Sequence, residues 1–465
     1  MYDYVFPNFI MPNALITEYG ILNYLNSLYT NKHKNGCLTD KNLHDQVNKV
    51  PTMMFDNNLG HWPNSNWNDG THLVAGPYQK FLECQHDSVF FGKQKYGKYI
   101  YPIKISPHVD DFTGIAPIGS KLNGEYFWKH MSFEALKDAQ NRDCVILLDL
   151  AQENFFDRTT YVKLHRAIEL SGIPAEQIVL VFNSFNAKEM YENWFSPEER
   201  RLEVMNLPFI ISNVSYHWAN CADRRMNMLE FLGTKNVLRK NAFLFKIRRQ
   251  KDYRHALLYK LASDDLLDMG DWSCINQIQY NQTEVENLSN AYRFQYDLEK
   301  VKKVCEQTPH RLQLEPNSTF ESVGGWGDLN GDSHKNSYFY ICTETYINDL
   351  GYKSLTEKVF KPLVNFQPFL FVAYPGALQL LRNLGFKTFH PFIDESYDLE
   401  QDEVTRINMI YQEIKKLCAM SNEELHAWYW QMQDILIFNH HTMIGYHSKD
   451  NYGIDVINKL HEKIK

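Results

Sequence analysis

The stretch GYKSLTEKVFKP, Gly351–Pro362, places an acid and two lysines where a loop is about to become a helix. Ser354-Leu355-Thr356-Glu357 reads as a capping signature that opens it. Glu357 in a first turn suits the positive end of the helix dipole. Lys358 and Lys361 there do not, because a cation meeting unpaired N–H groups costs roughly a few tenths of a kcal/mol. An anion seated on those N–H groups and held by the lysines reverses the sign. The competing reading is a set of solvated surface lysines, since exposed charge terms are small.

KIRRQKDYRH adds Lys246, Arg248, Arg249, Lys251 and Arg254 between a predicted strand and a predicted helix. The planar guanidinium fork matches phosphate oxygens two at a time, and ligands of open α/β sheets gather beyond the carboxyl ends of strands. Two cationic loops at such ends form a two-sided pocket, of which a diphosphate is the simplest occupant; a solvated basic loop is the alternative. AQENFFDRTT supplies carboxylates beyond another strand end. Glu153 is a candidate general base that would take a proton from an attacking hydroxyl. Asp157, just before RTTY, reads as a helix N-cap.

Other chemistry finds less support. No G-x-G-x-x-G follows a strand and no G-x-x-x-x-G-K-[ST], G-x-S-x-G or H-E-x-x-H occurs, so dinucleotide enzymes, P-loop hydrolases, serine hydrolases and zincins are unsupported. Asp328–Asp332, DLNGD, lacks the other ligands of a calcium loop and reads as a turn. Asp110-Asp111 has no preceding strand to place it as a metal pair, and His440-His441 reads as helix-end packing or backbone bonding.

The elements that position these residues emerge after residue 140. CVILLDL and IVLVFNSF are continuous apolar runs of strand length, separated by a helical pattern with Tyr161, Leu164, Ile168 and Leu170 near one face. Strand, helix, strand with short links makes a βαβ unit and a parallel sheet. A second alternation begins near Asn241: AFLFKI, the helix HALLYKLASDDLL, SCINQI, YFYICTE, the helix of the opening segment, PFLFVAY, the helix GALQLLRNLG and a short FKTF. EVTRINMIYQEIKKLCAM and HAWYWQMQDILIF are helical, the latter behind a capping box at Ser421 and Glu424. A chain of 465 residues exceeds one hydrophobic core. The expected organisation is an α/β protein of two Rossmann-like domains, residues 1–240 and 241–415, with helices 416–465 packing across them.

Bulk properties narrow the class. Net charge of −8 argues against a surface that is cationic throughout, though a basic groove on one domain remains compatible with it. The 8 cysteines are scattered without a C-x-x-C pair, as expected of buried thiols in the cytoplasm, and no run reaches the roughly 18 apolar residues of a membrane span.

At this point the chain resembles GT-B glycosyltransferases associated with bacteriophages, large viruses and some bacteria. LLYKLASDDLLDMG behind an arginine-rich loop, SLTEKVFKPLVNFQPFLF and GALQLLRNLGFKTFHPFIDESYD carry the resemblance over residues 242–414, and LHRAIELSGIPAEQIVLVFNSFNAKEMYENW extends it. The Thr356-Glu357-Lys358 element is also similar to the donor-site motif of α1,3-fucosyltransferases, whose Glu holds ribose hydroxyls and whose Lys holds the diphosphate. The resemblance implies these roles for Glu357 and Lys358, with Arg248 or Arg249 as a second phosphate ligand. It implies two domains facing a cleft, a nucleotide-diphosphate sugar as co-substrate, and no cofactor or metal. Asn154 follows Glu153 where that family often carries glycine. The acceptor suggested is a hydroxymethylated pyrimidine of double-stranded phage DNA, with NKHKNG, GKQKYGK and DRRMN as basic contacts; a glycan or protein hydroxyl, or binding without catalysis, are the alternatives.

Overall fold

The computed structural model describes residues 53–55, 89–91, 98–104, 133–150, 157–200, 202–208, 226–310, 331–348, 351–444 and 452–464. The chain divides into two compact units. The first comprises Met1–Tyr216, Gly351–Ser354 and Tyr446–Lys465; the second comprises His217–Leu350 and Leu355–Gly445.

The first unit is built on a six-stranded sheet. Its strands are β1 (Met53–Phe55), β2 (Val89–Phe91), β3 (Tyr99–Lys104), β4 (Cys144–Leu150), β5 (Ile178–Phe182) and β6 (Glu203–Asn206), in the order β2-β1-β3-β4-β5-β6. Every pairing is parallel. Ile146 and Leu147, which point to opposite faces of β4, are both wholly buried, as a parallel sheet covered on both faces requires. Helices α1 (Phe133–Gln140), α2 (Arg158–Ser171) and α3 (Ala187–Trp194) flank these strands in the chain. Helix α2 starts where Asp157 accepts the Thr160 N–H at 2.6 Å and ends at Gly172, whose φ of 71° closes it in the left-handed region. Its buried stripe is Tyr161, Leu164, Ala167 and Ile168. Leu170, expected on that face, is 51% exposed, because Ala167 rather than Leu170 completes the i, i+3, i+4 set.

The helix Tyr452–Ile464 belongs to this unit, where Lys463 donates to the Glu176 carbonyl at 2.9 Å. The short segment Gly351–Ser354 does too. Phe185 donates to the Lys353 carbonyl at 2.9 Å, and Lys353 donates to Asn186 Oδ1 at 2.8 Å. The Tyr352 hydroxyl reaches the Asn183 carbonyl at 2.5 Å.

The second unit carries a four-stranded parallel sheet of β7 (Asn241–Ile247), β8 (Gly270–Cys274), β9 (Ser337–Thr343) and β10 (Phe369–Val372), ordered β10-β9-β7-β8. From β7 the chain steps to one side for β8, then crosses back to place β9 and β10 on the other. The strand order therefore switches between β7 and β9, and their carboxyl ends border the place where open α/β sheets hold ligands. The helices are α4 (Met228–Gly233), α5 (Asp252–Ser263), α6 (Gln282–Tyr292), α7 (Leu298–Gln307), α8 (Gly331–Lys335), α9 (Glu357–Val364), α10 (Ala377–Asn383), α11 (Glu403–Cys418), α12 (Asn422–Gln431) and α13 (Gln433–Ile444). Gly270 opens β8 against the Phe243 ring, and an added Cβ would stand 2.1 Å from that ring.

Several expectations move. The first unit's opening run ends at Tyr216, well before residue 240, and 226–240 packs with the second unit: Phe231 stacks on Phe366, and buried Arg239 donates to the His334 and Ser337 carbonyls at 2.9 and 2.6 Å. Helices α11–α13 belong to the second unit, while Tyr452–Ile464 belongs to the first. The strand expected at SCINQI lies earlier, in Gly270–Cys274, and FKTF forms no strand. Helix α5 ends at Ser263, followed by Asp265 with φ of 60°, rather than running to Met269-Gly270. The capping box of Ser421 and Glu424 is present at α12. Cys144, Cys274, Cys305, Cys342 and Cys418 are free and buried. No helix among the described residues is long and apolar enough to cross a membrane.

Asp157→Ala removes the cap of α2 and is expected to lower stability by about 1 kcal/mol. Urea unfolding of the two proteins measures it; an unchanged midpoint contradicts the cap's role.

Candidate functional site at the carboxyl edge of the second sheet

Strand β9 is buried along its whole length and hands the chain directly to Glu344, itself only 1% exposed. A carboxylate taken from water needs partners, and this one has several. Glu344 Oε1 accepts the Thr356 N–H at 2.8 Å; Oε2 accepts the Thr356 hydroxyl at 2.7 Å and the Thr345 N–H at 3.0 Å. Burial pushes the Glu344 carboxyl above its ordinary range, against the opposing pull of the Lys358 charge and the Thr356 hydrogen bonds.

Its backbone is held as firmly. The Glu344 N–H joins the Val372 carbonyl at 2.9 Å, and its own carbonyl accepts from the Tyr253 hydroxyl and from Arg254 Nη2 at 2.9 Å. Arg254 also donates to the Thr343 and Arg249 carbonyls, each at 3.2 Å. This revises the expectation for Arg254. On the first turn of α5 its guanidinium turns inward, and it is 4% exposed, so it ties the loop after β7 to the loop after β9 instead of facing a phosphate. Arg248 and Arg249, at the end of β7, are exposed. The loop after β9 gains a further anchor where buried Arg406 donates to the Ile347 carbonyl.

The opening helix also differs from expectation. Helix α9 begins at Glu357 with Thr356, not Ser354, in the cap position, and the Thr356 side chain makes no capping hydrogen bond. The reason is Glu344: it is a charged acceptor for the Thr356 hydroxyl, which is thereby drawn away from the helix end. The Thr356 oxygen in turn accepts from Lys358 Nζ at 2.9 Å, while Thr345 Oγ accepts from the same ammonium at 3.2 Å. Glu357 Oε1 lies 3.1 Å from Lys358 Nζ. Burial alone would raise the Glu357 carboxyl, but the charges of Lys358 and Lys361 outweigh it and hold it below the usual glutamate range. Lys361 is in the last turn of this short helix, not at its N-terminus, and there a cation suits the dipole. Its i, i+4 relation to Glu357, acid first, is the favourable orientation.

The structure thus brings Glu344, Thr345, Thr356, Glu357 and Lys358 together, and ties Arg249 to them through Arg254. Glu153, Asp110 and Asp111 lie outside the described residues, as do Asp328, most of NKHKNG, GKQKYGK and DRRMN. His440 is bonded to the Val364 carbonyl at 2.7 Å and stacked on Phe366, a packing role. No group of three His, Cys, Asp or Glu residues among those described could hold a metal ion. Glu344 was missed as a site residue; the signal was an acid terminating the apolar run YFYIC, where a buried charge demands fixed donors.

No protein-family model matches the chain, and no curated protein matches it. Solved structures are distantly similar. An alpha,alpha-trehalose-phosphate synthase (UDP-forming) from Burkholderia vietnamiensis has 11% identity and a TM-score of 0.35, covering 83% of this chain and 76% of that one. The corresponding enzyme from Burkholderia xenovorans, in complex with glucose-6-phosphate, has 10% identity and a TM-score of 0.36, covering 83% and 77%. Likenesses this remote assign neither a family nor an activity.

Arg254→Leu leaves the Thr343 and Arg249 carbonyls, and part of the bonding at Glu344, without their charged donor. The expected loss is about 3 kcal/mol. Differential scanning calorimetry checks it, and a transition within 1 °C or so of wild type denies the anchor.

Proposed function

We propose that the protein is a GT-B glycosyltransferase that moves a sugar from a nucleotide-diphosphate sugar to a hydroxyl acceptor, with the second unit as donor-binding domain. One observation carries the reading: at the strand-order switch between β7 and β9, a helix start that Thr356 does not cap, Lys358 and a half-buried acid gather, and Arg254 ties the Arg249 carbonyl of an exposed arginine pair to the same loop. Fixed cations and N–H groups there would stabilise a diphosphate as it leaves the sugar, the task a metal ion performs in other transferases. Glu357 would take the ribose hydroxyls, Lys358 and Arg248 or Arg249 the phosphates, and Lys361 supports Glu357. Transfer is therefore expected to persist in EDTA. The proposed acceptor is a hydroxymethylated pyrimidine of DNA, and a panel that includes glycan and protein hydroxyls decides it.

Lys358→Ala and Glu357→Ala should each weaken sugar-nucleotide binding tenfold to a hundredfold, from the loss of about 2 kcal/mol in charge-assisted bonding. Isothermal titration of the folded variants tests this; wild-type affinity in both would sink the donor assignment.

Glu153 is proposed as the general base of an inverting transfer, from its place after β4 in the chain. Glu153→Gln keeps the shape and removes the proton acceptor, so turnover should fall by about 10²–10⁴ while donor affinity holds. Normal turnover, or a product that retains the donor's anomeric configuration by NMR, refutes it.

A further inference from the structure

We propose that Glu344 is a positioning residue for the anion site, acting through Thr356 to keep the start of α9 uncapped and the Lys358 ammonium in place. The inference rests on the donor-site reading above and extends it to a residue that would touch no substrate.

Three features of the geometry carry it. The Thr356 hydroxyl has one proton, and it points to Glu344 Oε2 at 2.7 Å, so that proton is not offered elsewhere. Its oxygen is then a pure acceptor toward Lys358 Nζ at 2.9 Å, and Glu344 thereby fixes the ammonium without meeting it in a direct ion pair. Threonine in a cap position would normally turn its oxygen to the N–H groups of the second or third helical residue, closing the helix end to other acceptors. Here the backbone N–H of Thr356 is likewise committed to Glu344, at 2.8 Å, so both of its donors are held away from the helix axis. Thr356 therefore does not itself close this helix end, which is the end that suits a phosphate.

Protonation supplies the readout. A neutral Glu344 loses an acceptor, releases the Thr356 hydroxyl to cap α9 and loosens Lys358. Because burial places this carboxyl above the ordinary range, the loss occurs as pH falls through that raised value, and the site is restored above it. Among the described residues, the charged and titratable groups around Glu344 are Lys358 and Glu357 from α9, Tyr253 and Arg254 from α5, and Cys342 and Tyr340 from its own strand. Glu357 is shifted down and the tyrosines and the thiol are shifted up, so among these groups Glu344 is the carboxyl that burial displaces upward.

The experiment is calorimetric titration with UDP-glucose and GDP-fucose, whose diphosphates stay ionised across the range, from about pH 5 to 8. The wild type should bind one of them more weakly as pH falls. Glu344→Gln should bind at least tenfold more weakly at the upper end and show no such pH dependence. Thr356→Val should lose a similar factor, and Thr356→Ser, which keeps the hydroxyl, should restore it. Should Glu344→Gln fail to fold, the Thr356 pair decides alone. Folded Glu344→Gln with wild-type affinity and pH profile, or Thr356→Val with unchanged affinity, overturns the inference while leaving the donor reading intact. Binding of neither sugar nucleotide by the wild type overturns both.

Discussion

The second unit is organised by a carboxylate that cannot be left alone. Glu344 ends a strand whose every residue is buried, and desolvating a charge costs several kcal/mol unless fixed donors replace the water. The carboxylate's donors come from the loop itself through Thr345 and from the start of α9 through Thr356, while Tyr253 and Arg254 of helix α5 hold the Glu344 main-chain carbonyl. Satisfying one buried acid therefore fixes where α9 begins, how Thr356 is turned and where Lys358 rests. Replace it by an apolar residue and those groups have no reason to converge.

A second theme is the use of buried arginine against carbonyls. Arg254, Arg239 and Arg406 are each at most 4% exposed, and each spends its donors largely on main-chain oxygens. Arg406 bonds the Ala373, Glu400 and Ile347 carbonyls, and Arg239 adds a cation–π contact 3.9 Å from the Tyr429 centroid. Loops beyond parallel strands expose carbonyls that no ladder satisfies, and a planar fork with five donors answers several at once. Burial lowers the affinity of the Arg239 guanidinium for its proton, yet arginine remains charged, which lysine at this depth would not. The loops that bear Arg249 and Thr345 are rigid at their roots for this reason.

How much of this the sequence disclosed depended on whether the signal was local. β4 matched the run CVILLDL residue for residue, and Asp157 capped α2 as its place before RTTY implied, since both are set by neighbours along the chain. Ser354 failed as a cap because the decisive acceptor lies twelve residues from Thr356 in sequence, beyond any capping template. The company of Arg254 in KIRRQKDYRH suggests a phosphate ligand, but the start of a helix turns it inward while Arg248 and Arg249 are exposed. The same applies to residues 226–240: nothing in their composition tells that Phe231 will stack on Phe366, so their unit could not be read from order alone. Long-range packing decides such cases, and a single sequence records it only as unexplained burial.

Lys358 and Lys361 take different places because helix α9 is short. An eight-residue α9 spans only about two turns, so three positions carry Lys361 from the dipole's positive end toward its negative one. There it needs no anion to explain it and serves Glu357 across one turn. Lys358 remains at the wrong end, and its position is made tolerable by the oxygens of Thr356 and Thr345 and the carboxylate of Glu357. Those are partners a phosphate could complement without displacing the threonines, because an ammonium has three donors and an anion needs only its field. The anomaly in the sequence thus reduces to one residue, and its explanation lies in the carboxylate of Glu344 beneath it.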